Sequence, residues 1–328
     1  MFLNLSVSFI VPCYCIEKVL LLRCLKSIVA LGSDFDWEIQ LVDDGTPQSQ
    51  VAEWVDELGY NRIHYHYQEN AGLGEARNTG IRYATKQYVQ FVDSDDYLFI
   101  DSYRNVLKML CEYSCPDLLI FGMKKVSLEE MEQFAARIKG VSVYESGAEY
   151  LSQNSLFAAA CSYIVKRDVV DGKRFVQRIL HEDEEFTPRL LLDCGRMLVA
   201  RDLEAYAYYQ RPDSIIGRKD AGHLARRFGD LLTVIGSLRG SLAGLDGLKR
   251  RALSRRIDQL GEAFVYELIR LSPSREFLDS WLDRLEREGV YPIAYNTYNF
   301  KYRVFYHLTD KRWKVRTLYK INKLTGCL

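Results

Sequence analysis

"YVQFVDSDDYL", residues 88–98, joins an apolar run to three carboxylates, those of Asp93, Asp95 and Asp96. The run is rich in β-branched and aromatic residues, a composition that favours a short buried strand. Carboxylates this close repel one another unless a cation lies among them or water solvates each of them at a loop. We therefore expect a strand that ends at an acidic loop.

Similar runs occur on both sides of this stretch, and helical patterns separate them. In the intervening segments apolar residues recur every three or four positions, as on the buried face of a helix. Alternating strands and helices predict an α/β fold with a mostly parallel, twisted sheet flanked by helices and ligand-binding loops at the carboxyl ends of the strands. The other predicted strands are 7–12, 37–44, 63–68 and 117–122, and the helical stripes cover 19–29, 51–58, 76–84 and 103–110.

Composition narrows the class of protein. Apolar residues make up 48% and charged residues 27% of the 328 positions, the formal net charge is zero, and no apolar run is long enough to span a bilayer. We expect a cytoplasmic globular protein whose overall charge does not recruit nucleic acid. Its eight cysteines lack C-x-x-C spacing, which favours reduced thiols over zinc ligands.

Acidic residues follow two of the predicted strands, Asp43 and Asp44 after one and the three of the opening stretch after the other. No phosphate-binding glycine motif follows the first strand, which argues against dinucleotide oxidoreductases and P-loop NTPases. Oxygen ligands of this kind suit a hard divalent cation that also binds substrate phosphates. By itself, "DSDD" is more typical of a strand end whose polar side chains cap the next helix.

Five motifs, taken in order, resemble the family 2 glycosyltransferases, which are inverting enzymes with the GT-A fold for nucleotide-diphospho-sugars. The resemblance covers roughly residues 6–215 and implies a nucleotide-sugar donor and Mn²⁺ or Mg²⁺ as the cofactor. Cys15 stands where the family usually has Asn, and Thr46 where it usually has Ser. The motifs are "SFIVPCYC" (8–15), "EIQLVDDGT" (38–46), "ENAGLGEARNTGIRYA" (69–84), "YVQFVDSDDYL" (88–98) and "HEDEEF" (181–186).

The family's roles, carried over position by position, imply a metal site, a base and a donor site. Asp95 would be the principal metal ligand, Asp93 would face the donor's ribose or the metal, and Asp183 of "HEDEEF" resembles the general base. Asp44 and its neighbour Asp43 would lie at the nucleotide base of the donor. The residues implied to bind the donor are Pro12, Tyr14, Asp43, Asp44, Arg77, Asp93 and Arg211.

Sugar transfer independently requires acidic groups in two places. Negative charge grows on the departing diphosphate and must be met by a cation, while a carboxylate takes the proton of the hydroxyl that attacks from the opposite face. Simpler interpretations exist for the single parts. "HEDEE" alone is typical of an exposed, charged helix start, and Arg77, which the resemblance places near the base or the diphosphate, is also typical of a surface ion pair. Arg211, in "YYQRPDSI", would contact the diphosphate from a closing segment.

The rest of the chain changes character. Residues 161–170 predict a strand and a helix and 196–215 a strand pair, whereas 221–288 is helical throughout. We therefore divide the chain into a GT-A domain at 1–217 and a C-terminal helical region at 218–328.

The tail, residues 295–328, combines aromatic residues such as Phe305, Trp313 and Tyr319 with basic ones, against the lone acid Asp310. It predicts either peripheral association with an anionic surface, at the inner face of the plasma membrane, or a solvated helix face with its aromatic residues buried. No recognised nucleic-acid-binding module accompanies the charge. The basic residues are Lys301, Arg303, Lys311, Arg312, Lys314, Arg316, Lys320 and Lys323.

We predict an inverting glycosyltransferase that moves a sugar from a nucleoside-diphosphate donor, expected to be UDP-linked, to a hydroxyl of a glycan or lipid-linked glycan in bacterial surface polysaccharide synthesis. Two alternatives stay open. A sugar nucleotidyltransferase would need a basic glycine-rich loop that "PCYCIEK" (12–18) does not supply. A catalytically silent relative would bind or scaffold other proteins and would have no need of a metal site.

Overall fold

A sheet organises the first of the two units into which the chain divides. The computed structural model describes residues 5–127, 140–210, 220–296 and 298–326. The first unit comprises Met1–Gln153 with Phe157–Arg211, and the second comprises Asn154–Leu156 with Pro212–Leu328.

The described part of the first unit contains nine strands in one sheet. They are β1 (Ser6–Cys13), β2 (Asp36–Asp43), β3 (Ile63–Tyr67), β4 (Tyr88–Phe91), β5 (Tyr97–Leu98), β6 (Leu118–Val126), β7 (Ser142–Tyr144), β8 (Tyr163–Lys166) and β9 (Met197–Tyr209). Their order is β3-β2-β1-β4-β8-β6-β9-β5, with β7 beside β9. β3, β2, β1 and β4 pair in parallel, whereas β8 is antiparallel to β4 and β6. The parallel arrangement expected from the alternation thus holds in the first half of a mixed sheet.

Helices connect these strands where apolar periodicity predicted them. The four predicted stripes coincide with α1 to α4 and differ from them by less than one turn at either end. The helices of this unit are α1 (Lys18–Val29), α2 (Val51–Leu58), α3 (Leu73–Tyr83), α4 (Ile100–Glu112), α5 (Gly147–Gln153), α6 (Arg167–Val170) and α7 (Glu182–Asp193).

β1 lies between β2 and β4 and is buried on both faces. Every residue of β1 except the first is buried, which explains why its sequence is continuously apolar and does not alternate. α3 packs so closely on this strand that a Cβ atom at Gly80 would lie 2.2 Å from Ile10 Cγ2. Only glycine lets the helix lie at that distance, and α3 carries a site residue described below.

β9 is one continuous strand, so the strand pair predicted over 196–215 was wrong. Beside β6, Phe121 pairs with Ala200 but Gly122 pairs with Glu204, and the residues between, 201–203, bulge from the ladder. A Cβ atom at Gly122 would lie 2.2 Å from the Arg201 carbonyl oxygen. The polar residues in the middle of this segment therefore form a β-bulge within one strand and not a turn between two strands.

The second unit is helical, as predicted for 221–288. Phe228, Phe264 and Trp281 pack ring against ring with centroids 5.1 to 6.0 Å apart, and they join three helices in one core. Among the described residues, no helix is both long and apolar enough to cross a membrane. The helices of this unit are α8 (Ala221–Gly240), α9 (Gly247–Leu271), α10 (Arg275–Arg287), α11 (Phe300–Thr309) and α12 (Arg312–Thr325).

Candidate active site

Three neighbouring strands bring the acidic motifs of the first unit to one edge of the sheet. β1 pairs in parallel with β2 on one side and with β4 on the other, so that their carboxyl ends face the same way. "PCYC", "DDGT" and "DSDD" lie at these three ends. The strand directions therefore confirm the predicted rim.

Asp43 is fully buried at this rim and holds the loop that follows β2. Its carboxylate accepts hydrogen bonds from the Thr46 amide at 2.9 Å and the Tyr65 hydroxyl at 3.2 Å, and also from the Ser49 hydroxyl. All three donors are protein groups, and they satisfy both carboxylate oxygens.

Asp44 is buried beside it and joins two loops. Its carboxylate accepts hydrogen bonds from the Gln68 side-chain amide at 2.7 Å and from the amides of Ala71 and Gly72, each at 2.9 Å. The loop after β2 is thereby tied to the segment that leads into α3. Both carboxylates that the resemblance assigns to the donor's base thus also shape the rim.

Pro12 and Tyr14 lie on either side of the end of β1. Pro12 is buried within the strand, while the Tyr14 side chain is 52% exposed at the rim. Cys15 has a φ of +47°, in the left-handed region, and its amide donates to Thr46 Oγ1 at 3.0 Å. Asn, the usual residue of the family there, adopts this conformation more readily than Cys does. The hydroxyl retained at Thr46 is the group that this loop uses.

Asp96 is the structural carboxylate of "DSDD". It is 1% exposed, and it accepts hydrogen bonds from the Tyr206 hydroxyl and the Tyr209 amide, both at 2.7 Å. The Tyr206 hydroxyl in turn accepts from the Asp93 amide at 3.0 Å. Burial, and then the charges of Asp93 and Asp95, raise the pKa of Asp96 well above its ordinary value. The acidic loop is thereby fastened to β9, and part of the charge in the opening stretch is removed from the surface.

Arg77, on α3, joins the two acidic clusters. Its guanidinium is buried and donates to Asp93 Oδ1 at 2.9 Å and to Glu182 Oε1 at 2.6 Å. It also lies 5.5 Å from the centre of the Phe175 ring. Burial opposes the charged form, yet the carboxylates of Asp93 and Glu182 raise the pKa of Arg77 above its ordinary value. Arg77 is therefore a buried cation that balances one carboxylate of each cluster, and the interpretation as a surface ion pair does not apply.

Asp183 lies in the first turn of α7, a position where the helix dipole favours carboxylates. Its neighbours Glu182 and Glu185 are buried, so this helix start is not the exposed charged surface of the simpler interpretation. Asp183 keeps partial solvent access, and its carboxylate accepts from the Glu184 amide at 2.8 Å. Desolvation raises the pKa of Asp183 well above its ordinary value, and the charges of Glu182 and Glu184 add to the rise. A carboxylate with a raised pKa is a stronger base than an ordinary Asp.

Asp95 keeps partial solvent access, and Arg23 holds the loop that carries it. Its backbone carbonyl accepts from the Arg23 guanidinium at 2.6 Å, and that guanidinium lies 4.8 Å from the ring centres of Tyr97 and Tyr209. In the described parts of the chain, no three His, Cys, Asp or Glu side chains are grouped so that they could hold a metal. The donor set of Asp95 and Asp93 fits Mn²⁺ or Mg²⁺, which often take one or two carboxylates and complete their shell with water and substrate phosphates.

Two residues of this arrangement escaped prediction from the sequence. Tyr206 lies 110 residues from Asp96, and no local pattern indicates that the two meet. Glu182 belongs to a predicted motif, but the run of four acids does not reveal which of them bonds to Arg77. Arg211 lies outside the described residues.

Comparison with known sequences places this arrangement among glycosyltransferases. The pattern described as glycosyl transferase family 2 matches residues 8–171, half of the chain. Glycosyltransferase GlyA of Streptococcus pneumoniae is 36% identical over 143 residues, which are 43% of this chain and 20% of GlyA. The poly(ribitol-phosphate) beta-N-acetylglucosaminyltransferase TarS of Staphylococcus aureus is 28% identical over 209 residues, which are 61% of this chain and 35% of TarS. The matched region is therefore a fifth to about a third of the length of these relatives.

Solved structures share the fold. The crystal structure of TarS 1–349 in complex with UDP-GlcNAc has a TM-score of 0.68 at 19% identity, and the match covers 98% of this chain and 92% of that chain. The mannosyltransferase PcManGT of Pyrobaculum calidifontis, in complex with GDP-Man and Mn²⁺, has a TM-score of 0.55 at 15% identity over 98% of this chain and 88% of that chain. The predicted GT-A fold with C-terminal helices is confirmed.

Proposed function

The chain belongs to glycosyl transferase family 2, and from that premise we propose that it transfers a sugar, with inversion, from a UDP-linked donor to a hydroxyl of a glycan or lipid-linked glycan. Its relative TarS acts, by its name, on a poly(ribitol phosphate). That comparison supports an acceptor of the bacterial cell surface.

The observation that carries this proposal is the meeting of two acidic clusters at Arg77. Asp93 lies 16 residues and Glu182 lies 105 residues from Arg77 along the chain, yet one buried guanidinium bonds to both. Single displacement needs charge compensation at the leaving group and a base at the acceptor, on opposite faces of the reacting carbon. Two clusters held in a fixed relation by one cation suit these two needs.

Asp183 is the proposed base. It takes the proton of the acceptor hydroxyl while the hydroxyl oxygen bonds to the anomeric carbon and the bond from that carbon to the diphosphate oxygen breaks. The electron pair of the breaking bond leaves with the nucleoside diphosphate, and the configuration at the carbon inverts. The raised pKa of Asp183 supports this role, because a stronger base accepts the proton more readily.

The donor site is proposed at the rim. We propose that Asp43 and Asp44 lie at the nucleotide base and also support the loops around it, with Pro12 fixing the end of β1. Each carboxylate has one oxygen that accepts a single protein hydrogen bond, so it can accept another from the base. The exposed Tyr14 side chain offers a ring and a hydroxyl to the donor. Arg211 is proposed to contact the diphosphate. The TarS complex with UDP-GlcNAc, which shares the fold, supports UDP as the nucleotide.

Asp95 and Asp93 are proposed to hold Mn²⁺ or Mg²⁺. Such an ion, when bound, supplies positive charge that offsets the charge of the departing diphosphate. Arg77 orients Asp93 by its hydrogen bond. The Mn²⁺ complex of PcManGT, a protein of the same fold, supports a divalent metal as the cofactor.

We also propose that the protein works as a peripheral protein at the inner face of the plasma membrane, where a lipid-linked acceptor would be found. The excess of basic residues in the tail supports this location, because such residues are attracted to anionic lipids.

A screen of nucleotide sugars for release of UDP or GDP, with Mn²⁺ and with a chelator, tests the proposal. Water replaces the acceptor slowly in such enzymes, so the donor can be identified first. We expect release from a UDP-sugar that stops when the metal is removed. Absence of release, together with no thermal shift on adding UDP with or without Mn²⁺, would contradict the proposal. Conversion of a nucleotide sugar and added pyrophosphate to a nucleoside triphosphate and a sugar 1-phosphate would indicate a nucleotidyltransferase, and binding without any reaction a silent relative.

A further inference from the structure

The last two helices of the second unit each carry an apolar stripe that faces away from the protein. On α11 the stripe is Phe300, Val304 and Leu308, and on α12 it is Trp313, Ile321 and Leu324. These six side chains, here called the outward stripes, are all exposed, from 40% at Val304 to 86% at Leu324. At 3.6 residues per turn, the members of each stripe lie within about 80° of one another around their helix.

Other residues do the packing of these helices. On α11 Tyr302 and Thr309 are buried, and on α12 Val315, Tyr319 and Asn322 are buried. The Asn322 side chain donates to the carbonyl oxygens at residues 269 and 270 of α9, at 3.4 and 3.2 Å. The outward stripes are therefore additional to the buried faces, so each helix has a packed face and a separate exposed apolar face.

Positive charge surrounds the outward stripes. Arg312 and Arg316 form ion pairs with acids of α10 and fasten α12 to that helix. By contrast, Lys301, Arg303, Lys320 and Lys323, which flank the stripes, take part in no ion pair among the described residues. Lysine or arginine beside exposed Trp, Phe and aliphatic side chains is the composition of a helix that lies in a membrane interface.

Other occupants fit this surface less well. A second copy of the chain, meeting it by two-fold symmetry, would bring the flanking basic residues against one another. Nucleic acid would match the charge, but four of the six stripe residues, Val304, Leu308, Ile321 and Leu324, are aliphatic and offer no ring on which a base could stack. An anionic bilayer matches both features, because its acyl boundary takes aliphatic and aromatic side chains while its phosphates meet the basic groups.

We propose that α11 and α12 lie on an anionic phospholipid bilayer, with the outward stripes in the acyl boundary and the flanking basic residues at the lipid phosphates. This deepens the membrane association of the proposed function and rests on it. It assigns the side chains of the tail to two environments: Tyr302, Val315 and Tyr319 pack in the protein core, and the outward stripes contact the lipid.

Vesicle sedimentation of the full chain tests the division. Binding to phosphatidylcholine vesicles that contain phosphatidylglycerol should exceed binding to phosphatidylcholine alone and should weaken with salt. The pair Trp313→Ser and Leu324→Ser should lower the partition coefficient by about a hundredfold, and the pair Lys320→Gln and Lys323→Gln by about thirtyfold. The control is the pair Leu248→Ser and Arg251→Gln, which makes one apolar-to-Ser change and one basic-to-Gln change on exposed residues of another helix, α9, and should bind like the wild type.

Tryptophan fluorescence reports insertion directly. Of the four tryptophans, Trp313 is 62% exposed, Trp54 of the first unit is half-buried, and Trp37 and Trp281 are buried. Vesicles with anionic lipid should shift the emission to shorter wavelength, and brominated acyl chains should quench it. Both effects should be absent in Trp313→Phe, which should still sediment with the vesicles because an aromatic side chain is retained.

Three results would overturn the inference: stripe variants that bind vesicles like the wild type, equal loss in the α9 control, or Trp313 emission that no anionic vesicle changes. A wild type that self-associates in sedimentation velocity, with the association lost on Trp313→Ser and Leu324→Ser, would assign the stripes to a second copy instead. Metal-dependent UDP release without vesicles, measured on the same preparations, separates this inference from the proposed transferase activity. A variant that loses vesicle binding but keeps UDP release supports both.

Discussion

The acidic clusters at residues 93–96 and 182–185 share one arrangement but lie in different surroundings. Each contains a buried carboxylate that protein groups hold: Tyr206 donates to Asp96, and Arg189 donates to Glu185 at 2.6 Å. Each contains a second carboxylate that bonds to Arg77. Each also contains a carboxylate that keeps partial solvent access, Asp95 in the first and Asp183, with Glu184 beside it, in the second.

The two clusters differ in the backbone that carries them and in the pKa of the carboxylate that keeps solvent access. The first cluster follows a strand in a loop fastened to β9, so its solvent-facing carboxylate is suited to a fixed charge beside a metal. The second begins a helix among four acids, and desolvation raises the pKa of Asp183. This difference in environment is the physical basis of the two proposed roles, metal ligation in the first cluster and proton transfer in the second.

The largest expected effect is the loss of sugar transfer in Asp183→Asn, which tests whether the second cluster supplies the base. Asp183→Asn keeps the size and hydrogen bonding of the side chain but cannot accept a proton. We expect transfer to fall by roughly a hundredfold to ten-thousandfold, the usual scale for loss of a general base, while calorimetric titration gives a donor affinity near that of the wild type. Glu184→Gln, in the same helical turn, is the control and should retain most of the activity. The reverse pattern in the two variants would move the base to Glu184.

Breaking the link between the clusters should cost stability. Arg77→Met leaves Asp93 and Glu182 buried or half-buried without their cation, and we expect about 3–5 kcal/mol less free energy of unfolding in urea. Arg82→Met, which removes an exposed ion pair on the same helix, should cost less than about 1 kcal/mol. Adding Glu182→Gln to Arg77→Met should recover part of the loss. Equal effects of the two arginine variants would show that Arg77 is not the joint between the clusters.

Asp95→Asn tests the first cluster. Because the proposed metal would hold the donor and also offset the charge of the leaving group, donor affinity and turnover should fall together, each by about a hundredfold. This contrasts with Asp183→Asn, where only turnover falls. Asp101→Asn, an exposed acid of α4, is the control. If Asp95→Asn kept its response to Mn²⁺ and to chelator, the assignment of the metal to this cluster would be wrong.

The smallest effect is a stability gain from the same Asp183→Asn change. The folded pKa of Asp183 is raised, so ionisation favours the unfolded chain as the pH rises above the unfolded value of about 3.9. Below that value both states are protonated and the variant should gain nothing. Above it the melting temperature should exceed that of the wild type by a margin that grows with pH until the folded pKa is passed. The control is Asp202→Asn, at an exposed position, whose melting temperature should not rise relative to the wild type with pH. If the two variants showed the same rise, desolvation of Asp183 would not be its cause.

Much of the first unit could be predicted because its signals are local. β1 to β4 and α1 to α4 were identified from apolar runs and from three- and four-residue periodicity, both of which depend only on neighbours in the chain. The bulge in β9 was missed because its cause lies in another strand, at Gly122, which has no side chain to obstruct the Arg201 carbonyl. Likewise, the buried and the exposed faces of α11 and α12 both contain aromatic residues. The residue types alone do not show which of these side chains are buried.

By itself, the sequence determined which chemical groups the protein has and the order of strands and helices that carries them to one rim, since a motif directly after a strand must lie at that strand's end. Only the tertiary structure decided what each charge does. Asp93, Asp95 and Asp96 are equivalent as letters, but contacts across 16 and 110 residues bond the first to Arg77 and the third to Tyr206. The physical reason is that a carboxylate's pKa and role follow from its solvent access and its partners, and the folded chain supplies those partners from distant segments.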